Sequence, residues 1–171
     1  MKQTTFIVLA AALALAAGIG ARHLHSNSLQ TSQTPLPEFN LPDLAGQSHS
    51  IREWQGKILV INFWATWCTP CLKEIPELIE LQKTYADKNL TVIGIAIDDP
   101  DEVKQFIATN PINYPILLTK EDGVLLTRKL GNQVDAIPFT AIVDQQGQII
   151  YQHPGGVTKQ ELLDVITPLL K

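Results

Sequence analysis

The chain has 171 residues, of which 45% are hydrophobic and 18% are charged. This size and balance suit one globular domain of ordinary size with a short appendage. The formal net charge of -4 leaves no basic excess that could neutralise a phosphate backbone, so the composition disfavours nucleic-acid binding.

The first 21 residues have the pattern of an export segment. Lys2 and a few polar residues precede an uncharged apolar run over residues 6–20, which ends in small residues before Arg22. The run approaches the roughly 20 residues that a spanning helix needs. We therefore expect a cleaved signal peptide or a membrane anchor over residues 1–21, and a flexible polar linker over 22–34. The protein is then expected in the periplasm or another extracytoplasmic space, touching a membrane only through this segment.

Residues 35–171 carry the signals of one folded domain. A weak alternation over residues 39–51 predicts an N-terminal β-hairpin. The further predicted elements are a strand over 58–64, a helix from 71 kinked at Pro76, a strand over 90–97, a helix over 100–109, a short strand over 115–118, a helical stretch over 123–130, strands over 139–143 and 148–151, and a last helix opened by a capping box at 158–161. This order predicts an α/β fold, with a central mixed sheet flanked by helices.

The two cysteines of the chain, Cys68 and Cys71, are separated by two residues. A bridge that closes so short a loop constrains the unfolded chain little, so the pair is a poor structural staple and a better redox centre. Such a pair is also half of a zinc site. The histidines that could complete one are His23, His25, His49 and His153. Two of them lie in the predicted linker and no second pair has ligand-like spacing, so we expect no metal, and no other cofactor.

The segment around the cysteines resembles the active-site run of thioredoxins. It covers residues 63–71, FWATWCTPC, and Pro76 stands where thioredoxins kink the following helix. Residues 136–140, AIPFT, resemble the loop that bears the cis-proline of these proteins. The early hairpin and an extra strand-helix step within residues 90–115 resemble the TlpA, ResA and CcmG group of extracytoplasmic reductases. The resemblance implies a thioredoxin-like fold and thiol-disulfide exchange between proteins.

The resemblance also implies roles for particular residues. A thiolate of Cys68 at a helix N-terminus would attack, and Cys71, one turn into the helix, would resolve the mixed disulfide. Asn62 replaces the buried aspartate of thioredoxin, whereas Glu74 stands where the TlpA-like group has a buried glutamate. We therefore expect Glu74 to be the general base. The competing interpretation is a surface carboxylate beside Lys73.

The residues expected to contact a substrate flank the cysteine pair. Trp67 would form an apolar rim beside the exposed sulfur, next to the turn residues Thr69 and Pro70. If the bond before Pro138 is cis, as the resemblance implies, the backbone of Ile137 is turned to pair with an extended client. The alternative for Pro138 is a trans proline that opens a strand.

The expected function is a thiol-disulfide oxidoreductase that reduces the disulfide of a client protein outside the cytoplasm. Electrons would come from an upstream thiol donor protein, for which a membrane thiol-disulfide reductase is one candidate. Clients in the family include apocytochrome c and the copper-site cysteines of oxidase assembly. A non-catalytic client-binding or chaperone module is the alternative. A peroxidase of the peroxiredoxin type is disfavoured, because Ile61 and Ala65 interrupt its usual Pro-x-x-x-Thr-x-x-Cys pattern.

Overall fold

The computed structural model describes residues 34–120 and 122–170. The predicted export segment over residues 1–21 and nearly all of the predicted linker over 22–34 lie outside this part of the chain. Within the described residues, no helix combines the length and the apolar character that crossing a membrane would require.

The elements follow the predicted order of strands and helices, except that a short first strand, not predicted, includes residue 34 of the expected linker and pairs with the strand that begins at Gln148. The strands are β1 (Thr34–Pro35), β2 (Asn40–Pro42), β3 (Ser48–Ser50), β4 (Ile58–Trp64), β5 (Leu90–Ile97), β6 (Ile116–Thr119), β7 (Phe139–Val143) and β8 (Gln148–Pro154). The α-helices are α1 (Thr69–Tyr85), α2 (Pro100–Thr109), α3 (Asp122–Lys129) and α4 (Lys159–Ile166). Strand β8 runs three residues further than predicted, because its pairing with β7 continues as far as Phe139 opposite Pro154.

Six strands form one mixed sheet in the order β1-β8-β7-β4-β5-β6. Strands β4, β5 and β6 are parallel to one another, whereas β7, β8 and β1 pair in antiparallel fashion. Every residue of β4 is buried, as expected for a central strand with helices on both faces. The predicted α/β fold with a mixed central sheet is confirmed.

Alternate residues of the central strands face two separate cores. One core contains Val60 and Trp64 of β4 together with Leu78 of α1 and Leu162 of α4. The core on the opposite face contains neighbouring β4 residues and Leu126 of α3. Asn62 lies between Val60 and Trp64 in sequence, so it points to the face that α1 covers. The register places it opposite Gly94 of β5 and Thr140 of β7.

The two additions predicted for the domain are both present. The hairpin of β2 and β3 forms a separate two-stranded sheet, with Asn40 opposite Ser50. The extra step runs from β5 through α2 to β6, which becomes the last strand of the large sheet. Asp99 caps α2 and Pro100 is its first residue, where a missing amide hydrogen costs no helical hydrogen bond.

Candidate active site

The turn that links β4 to α1 is held by a carboxylate from the neighbouring strand. Asp98 directly follows β5, and its Oδ2 accepts hydrogen bonds from the Thr66 amide at 2.8 Å and from the Thr66 hydroxyl at 2.6 Å. The amide of Cys68 donates to the carbonyl of Ala65 at 3.2 Å. Because β4 and β5 are parallel, their carboxyl ends lie at the same edge of the sheet, and this edge carries the site. Asp98 was not among the residues predicted for the site, although an acidic residue directly after a buried strand was a usable signal.

The two cysteines form a disulfide at the start of α1, with their Cα atoms 5.3 Å apart. Cys68 is the N-cap residue, and its sulfur accepts a hydrogen bond from the Cys71 amide at 3.3 Å. The helix therefore begins two residues earlier than predicted, since the first cysteine caps it. Cys68 is 5% exposed and Cys71 is fully buried. A sulfur at a helix N-terminus is placed where free amides and the helix dipole stabilise a thiolate.

Three of the predicted substrate-contact residues lie at the surface, directly beside the cysteines in sequence. Trp67 is 68% exposed, and Thr69 and Pro70 are also exposed. The Ile137-Pro138 peptide bond is cis, so that prediction is confirmed and the trans alternative is wrong. Ile137 is partly buried and packs against the core that includes both cysteines.

Glu74 lies one helical turn after Cys71, on the same face of α1, and is only 2% exposed. Its Oε1 accepts a hydrogen bond from Nδ2 of Asn62 at 2.8 Å, and its Oε2 accepts one from the Val157 amide at 2.9 Å. The same Nδ2 of Asn62 also donates to Oγ1 of Thr140 at 3.1 Å. The interpretation of Glu74 as a surface carboxylate is therefore wrong. Thr140 and the Val157 amide are site groups that the sequence analysis did not assign, and a backbone amide leaves no residue-type signal.

Burial raises the pKa of Glu74 from its ordinary value of 4.5 to about 7, although the hydrogen bonds from Val157 and Asn62 act in the opposite direction. Burial also raises the pKa of Tyr114, and the nearby charge of Glu74 adds to that effect. A carboxyl group with a pKa near neutrality can take up and release a proton at ordinary pH. Glu74 is therefore equipped for proton transfer close to the buried sulfur.

Two of the histidines considered as metal ligands have other partners. His49 lies between Asp43 and Glu53, and His153 stacks on the ring of Tyr151. His23 and His25 lie outside the described residues. Across residues 34–120 and 122–170, no group of three or more His, Cys, Asp or Glu side chains is placed to hold a metal ion.

A disulfide-forming pair that opens a helix after the central strand of a thioredoxin-like sheet defines the class of thiol-disulfide exchange proteins. The chain belongs to the AhpC/TSA family, whose family model matches residues 33–152.

Similar proteins agree with this class. The chain is 37% identical over 130 residues to the thioredoxin-like protein YneN of Bacillus subtilis, covering 74% of this chain and 73% of that one. It is 32% identical over 136 residues to the thiol-disulfide oxidoreductase ResA of Bacillus thuringiensis, covering 77% and 76%.

Solved structures confirm the thioredoxin-like fold. A thioredoxin family thiol:disulfide interchange protein from Chlorobium tepidum is 30% identical, with a TM-score of 0.70 over 81% of this chain and 97% of that one. A secreted thiol-disulfide isomerase from Corynebacterium glutamicum is 25% identical, with a TM-score of 0.70 over 79% and 84%.

Proposed function

We propose that this chain is an extracytoplasmic reductase of protein disulfides that works through the Cys68/Cys71 couple and the carboxyl group of Glu74. One observation carries the proposal: a disulfide at a helix N-terminus lies one helical turn from a buried carboxyl group whose pKa is near 7. In the proposed cycle, the Cys68–Cys71 disulfide is the form of the chain after it has reduced a client. An upstream thiol protein would reduce it again.

The proposed first step starts from the reduced pair. The Cys68 thiolate attacks one sulfur of the client disulfide, which forms a bond between Cys68 and the client and releases the other client sulfur as a thiolate. That leaving sulfur then takes a proton. Attack is assigned to Cys68 because its sulfur caps α1 and retains some exposure, whereas Cys71 has none.

The second step resolves the mixed disulfide. Glu74 takes the proton of the Cys71 thiol, and the resulting thiolate attacks the sulfur of Cys68. The Cys68–Cys71 disulfide forms and the second client sulfur leaves. Two electrons have then passed from this chain to the client. A buried thiol needs a base that water does not supply, and Glu74 is the carboxyl group placed nearest along the helix.

The proposed client surface is the rim around the disulfide. Trp67, Thr69 and Pro70 are exposed at the start of α1, and Ile137 packs against the same apolar core as the cysteines and is followed by the buried Pro138. Exposed apolar and backbone groups suit an extended polypeptide. We propose that these five residues hold the client segment that carries its disulfide.

The proposed location and direction rest on the sequence and on a similar protein. The apolar run over residues 6–20 is typical of an export or anchor segment, and a similar solved protein is described as secreted. The Cys-Thr-Pro-Cys sequence resembles that of reductive members of the family more than that of strongly oxidising members. Apocytochrome c and copper-site proteins are the first client classes to test. A reduction potential close to that of strongly oxidising exported catalysts would overturn the direction proposed here.

Trapping the mixed disulfide tests the proposal directly. A Cys71→Ser variant of the full chain, expressed in cells, should accumulate covalent complexes between Cys68 and its clients. These complexes should disappear on treatment with a thiol reductant and be absent in the matched Cys68→Ser, Cys71→Ser double variant. The trapped proteins identify the clients by mass spectrometry. A Cys71→Ser variant that traps no client, or client complexes that form equally well with Cys68→Ser, would overturn the mechanism, and full cellular activity of the double variant would favour a non-catalytic binding module.

A further inference from the structure

The pocket around Glu74 presents hydrogen-bond donors to both carboxyl oxygens. Nδ2 of Asn62 donates to Oε1, and the amide of Val157 donates to Oε2. This arrangement suits an ionised carboxylate, which only accepts hydrogen bonds. A protonated carboxyl group carries an O–H that needs an acceptor. The observed contacts therefore match one protonation state of Glu74, although its pKa near 7 means that both states are populated at neutral pH.

Of the two donors to Glu74, only the side chain of Asn62 can also act as an acceptor. The Val157 amide is a backbone group, directly before the Thr158 cap of α4, and it can only donate. The side-chain amide of Asn62 can exchange its oxygen and nitrogen by a half turn about the Cβ–Cγ bond. Its Oδ1 is buried and has no hydrogen-bond partner within the described residues. Oδ1 of Asn62 is thus a hydrogen-bond acceptor near Glu74 that accepts no hydrogen bond from the described residues.

The other neighbour of Asn62 can reverse as well. Oγ1 of Thr140 accepts a hydrogen bond from Nδ2 of Asn62 at 3.1 Å, and the residue is fully buried. A hydroxyl group donates as readily as it accepts, so the same Oγ1–H can rotate and donate to an amide oxygen placed there. After a half turn of the amide, Asn62 Oδ1 would accept from both Thr140 and a protonated Glu74.

We propose that Asn62 is a positioning residue for Glu74, and that its side-chain amide reverses each time Glu74 gains or loses a proton. With Glu74 ionised, the amide nitrogen donates to Glu74 and Thr140, as observed. With Glu74 protonated on Oε1, the amide oxygen accepts from both. Each form of Glu74 keeps a hydrogen bond inside the protein, so neither is left unpaired in the interior. The value of this device in turnover rests on the proton-transfer role proposed for Glu74, whereas the reversal rests on the contacts alone.

Three other titratable groups lie near Glu74 or its partners, and none of them needs to contribute to a measurement of Glu74 protonation. Cys71 precedes it on α1 and does not titrate while the disulfide is intact. Tyr114 faces it from the segment before β6, and its raised pKa keeps it neutral throughout. His153 of β8 lies opposite Thr140 in the strand register. A His153→Gln variant removes the imidazole from the measurement.

Nuclear magnetic resonance of the oxidised full chain tests the proposal. The ¹³C shift of the Glu74 carboxyl group reports its protonation, and Overhauser contacts between the Asn62 Nδ2 protons and Thr140 report the orientation of the amide. These contacts should be strong above the Glu74 pKa and should be lost below it, with the same midpoint. Contacts that persist on the acidic side while Glu74 is protonated would overturn the proposal. This measurement needs no change at Asn62.

A substitution gives a second readout. Asn62→Leu removes the donor to the carboxylate and the acceptor from the acid. The hydrogen bond to the charged form is the stronger of the two, so the Glu74 pKa should rise by about one unit. Asn132→Leu is the matched control, because Asn132 is a buried asparagine whose partners are Thr127 and Ala136. It should leave the Glu74 pKa unchanged. An Asn62→Leu protein that folds without this rise would contradict the positioning role.

The outcomes also separate this inference from the proposed function. Unchanged turnover in Glu74→Gln would overturn the proton-transfer role while leaving the amide reversal intact. A fixed amide with slow turnover in Glu74→Gln would overturn the reversal alone.

Discussion

Two carboxyl groups lie beside the cysteine pair, and they differ chiefly in their access to water. Asp98 is partly exposed at the edge of the sheet, where its Oδ2 binds the amide and the hydroxyl of Thr66 and its Oδ1 accepts from the Asp99 amide at 2.8 Å. Glu74 is 2% exposed beneath the pair and binds Asn62 and Val157. Both groups accept hydrogen bonds from the protein through each oxygen. Only Glu74 is removed from solvent.

The difference in solvent access explains why similar hydrogen bonds support different roles for the two carboxyl groups. Partial exposure leaves the Asp98 carboxyl group accessible to solvent while it anchors the active-site turn. Burial of Glu74 penalises its charge and raises its pKa to about 7, which makes it a group that exchanges a proton. Removing the Asp98 carboxyl group should therefore weaken the turn and preserve proton exchange, and removing the Glu74 carboxyl group should do the reverse.

The largest effect is expected on the rate of mixed-disulfide resolution in Glu74→Gln. Glutamine keeps the shape but cannot take the proton of Cys71, so resolution should slow by roughly 10²- to 10³-fold near neutral pH. Attack by Cys68 should stay close to the wild-type rate. Stopped-flow kinetics with a peptide disulfide separates the two steps. Asp98→Asn is the control with the same chemical change, and equal losses in both variants would remove the contrast between the two groups.

The same substitution should change how stability depends on pH. The folded protein binds the Glu74 proton more tightly than the unfolded chain, because the pKa is raised from 4.5 to about 7. Folding stability should therefore fall as the pH rises through that interval, and above it the deficit should stay constant at about 3 kcal/mol. Glu74→Gln lacks this deficit. Its stability relative to the wild type should increase between pH 4.5 and 7, and urea unfolding of the oxidised proteins that shows parallel pH curves would contradict the assigned burial cost.

A smaller effect, on folding stability, is expected from replacing Asp98. Asp98→Ala removes both hydrogen bonds to Thr66 and should destabilise the protein by about 1–2 kcal/mol, since the group is partly solvated. Asp98→Asn retains an oxygen that can accept both bonds, so it should cost less than about 1 kcal/mol. Urea unfolding measures the difference. If the alanine variant is as stable as the asparagine variant, the contacts to Thr66 do not hold the turn.

Much of the architecture could be predicted from local sequence features. The unbroken apolar run over residues 58–64 indicated a central strand because both faces of such a strand are covered. The capping box at residues 158–161 located the start of α4, since its two hydrogen bonds join residues three positions apart. The cysteine spacing indicated redox chemistry because the two cysteines are separated by only two residues. Each of these signals is contained within one short segment.

The contacts that complete the site join distant segments. Asp98 binds a residue 32 positions away, Asn62 binds Thr140 at a separation of 78, and Val157 binds Glu74 at a separation of 83. Local residue types do not encode which of many possible partners will meet. The sheet order and the packing of α1 against β5 and α4 bring these groups together.

Hydrophobic periodicity and residue spacing act over a few positions, so they were enough to predict a cysteine pair where a helix follows a buried strand. The burial of Glu74, the donors around it and the contact between Asp98 and the turn depend on the folded chain. The pKa of a carboxyl group is set by the solvent and the partners around it. Those surroundings exist only once α1 has packed against the sheet.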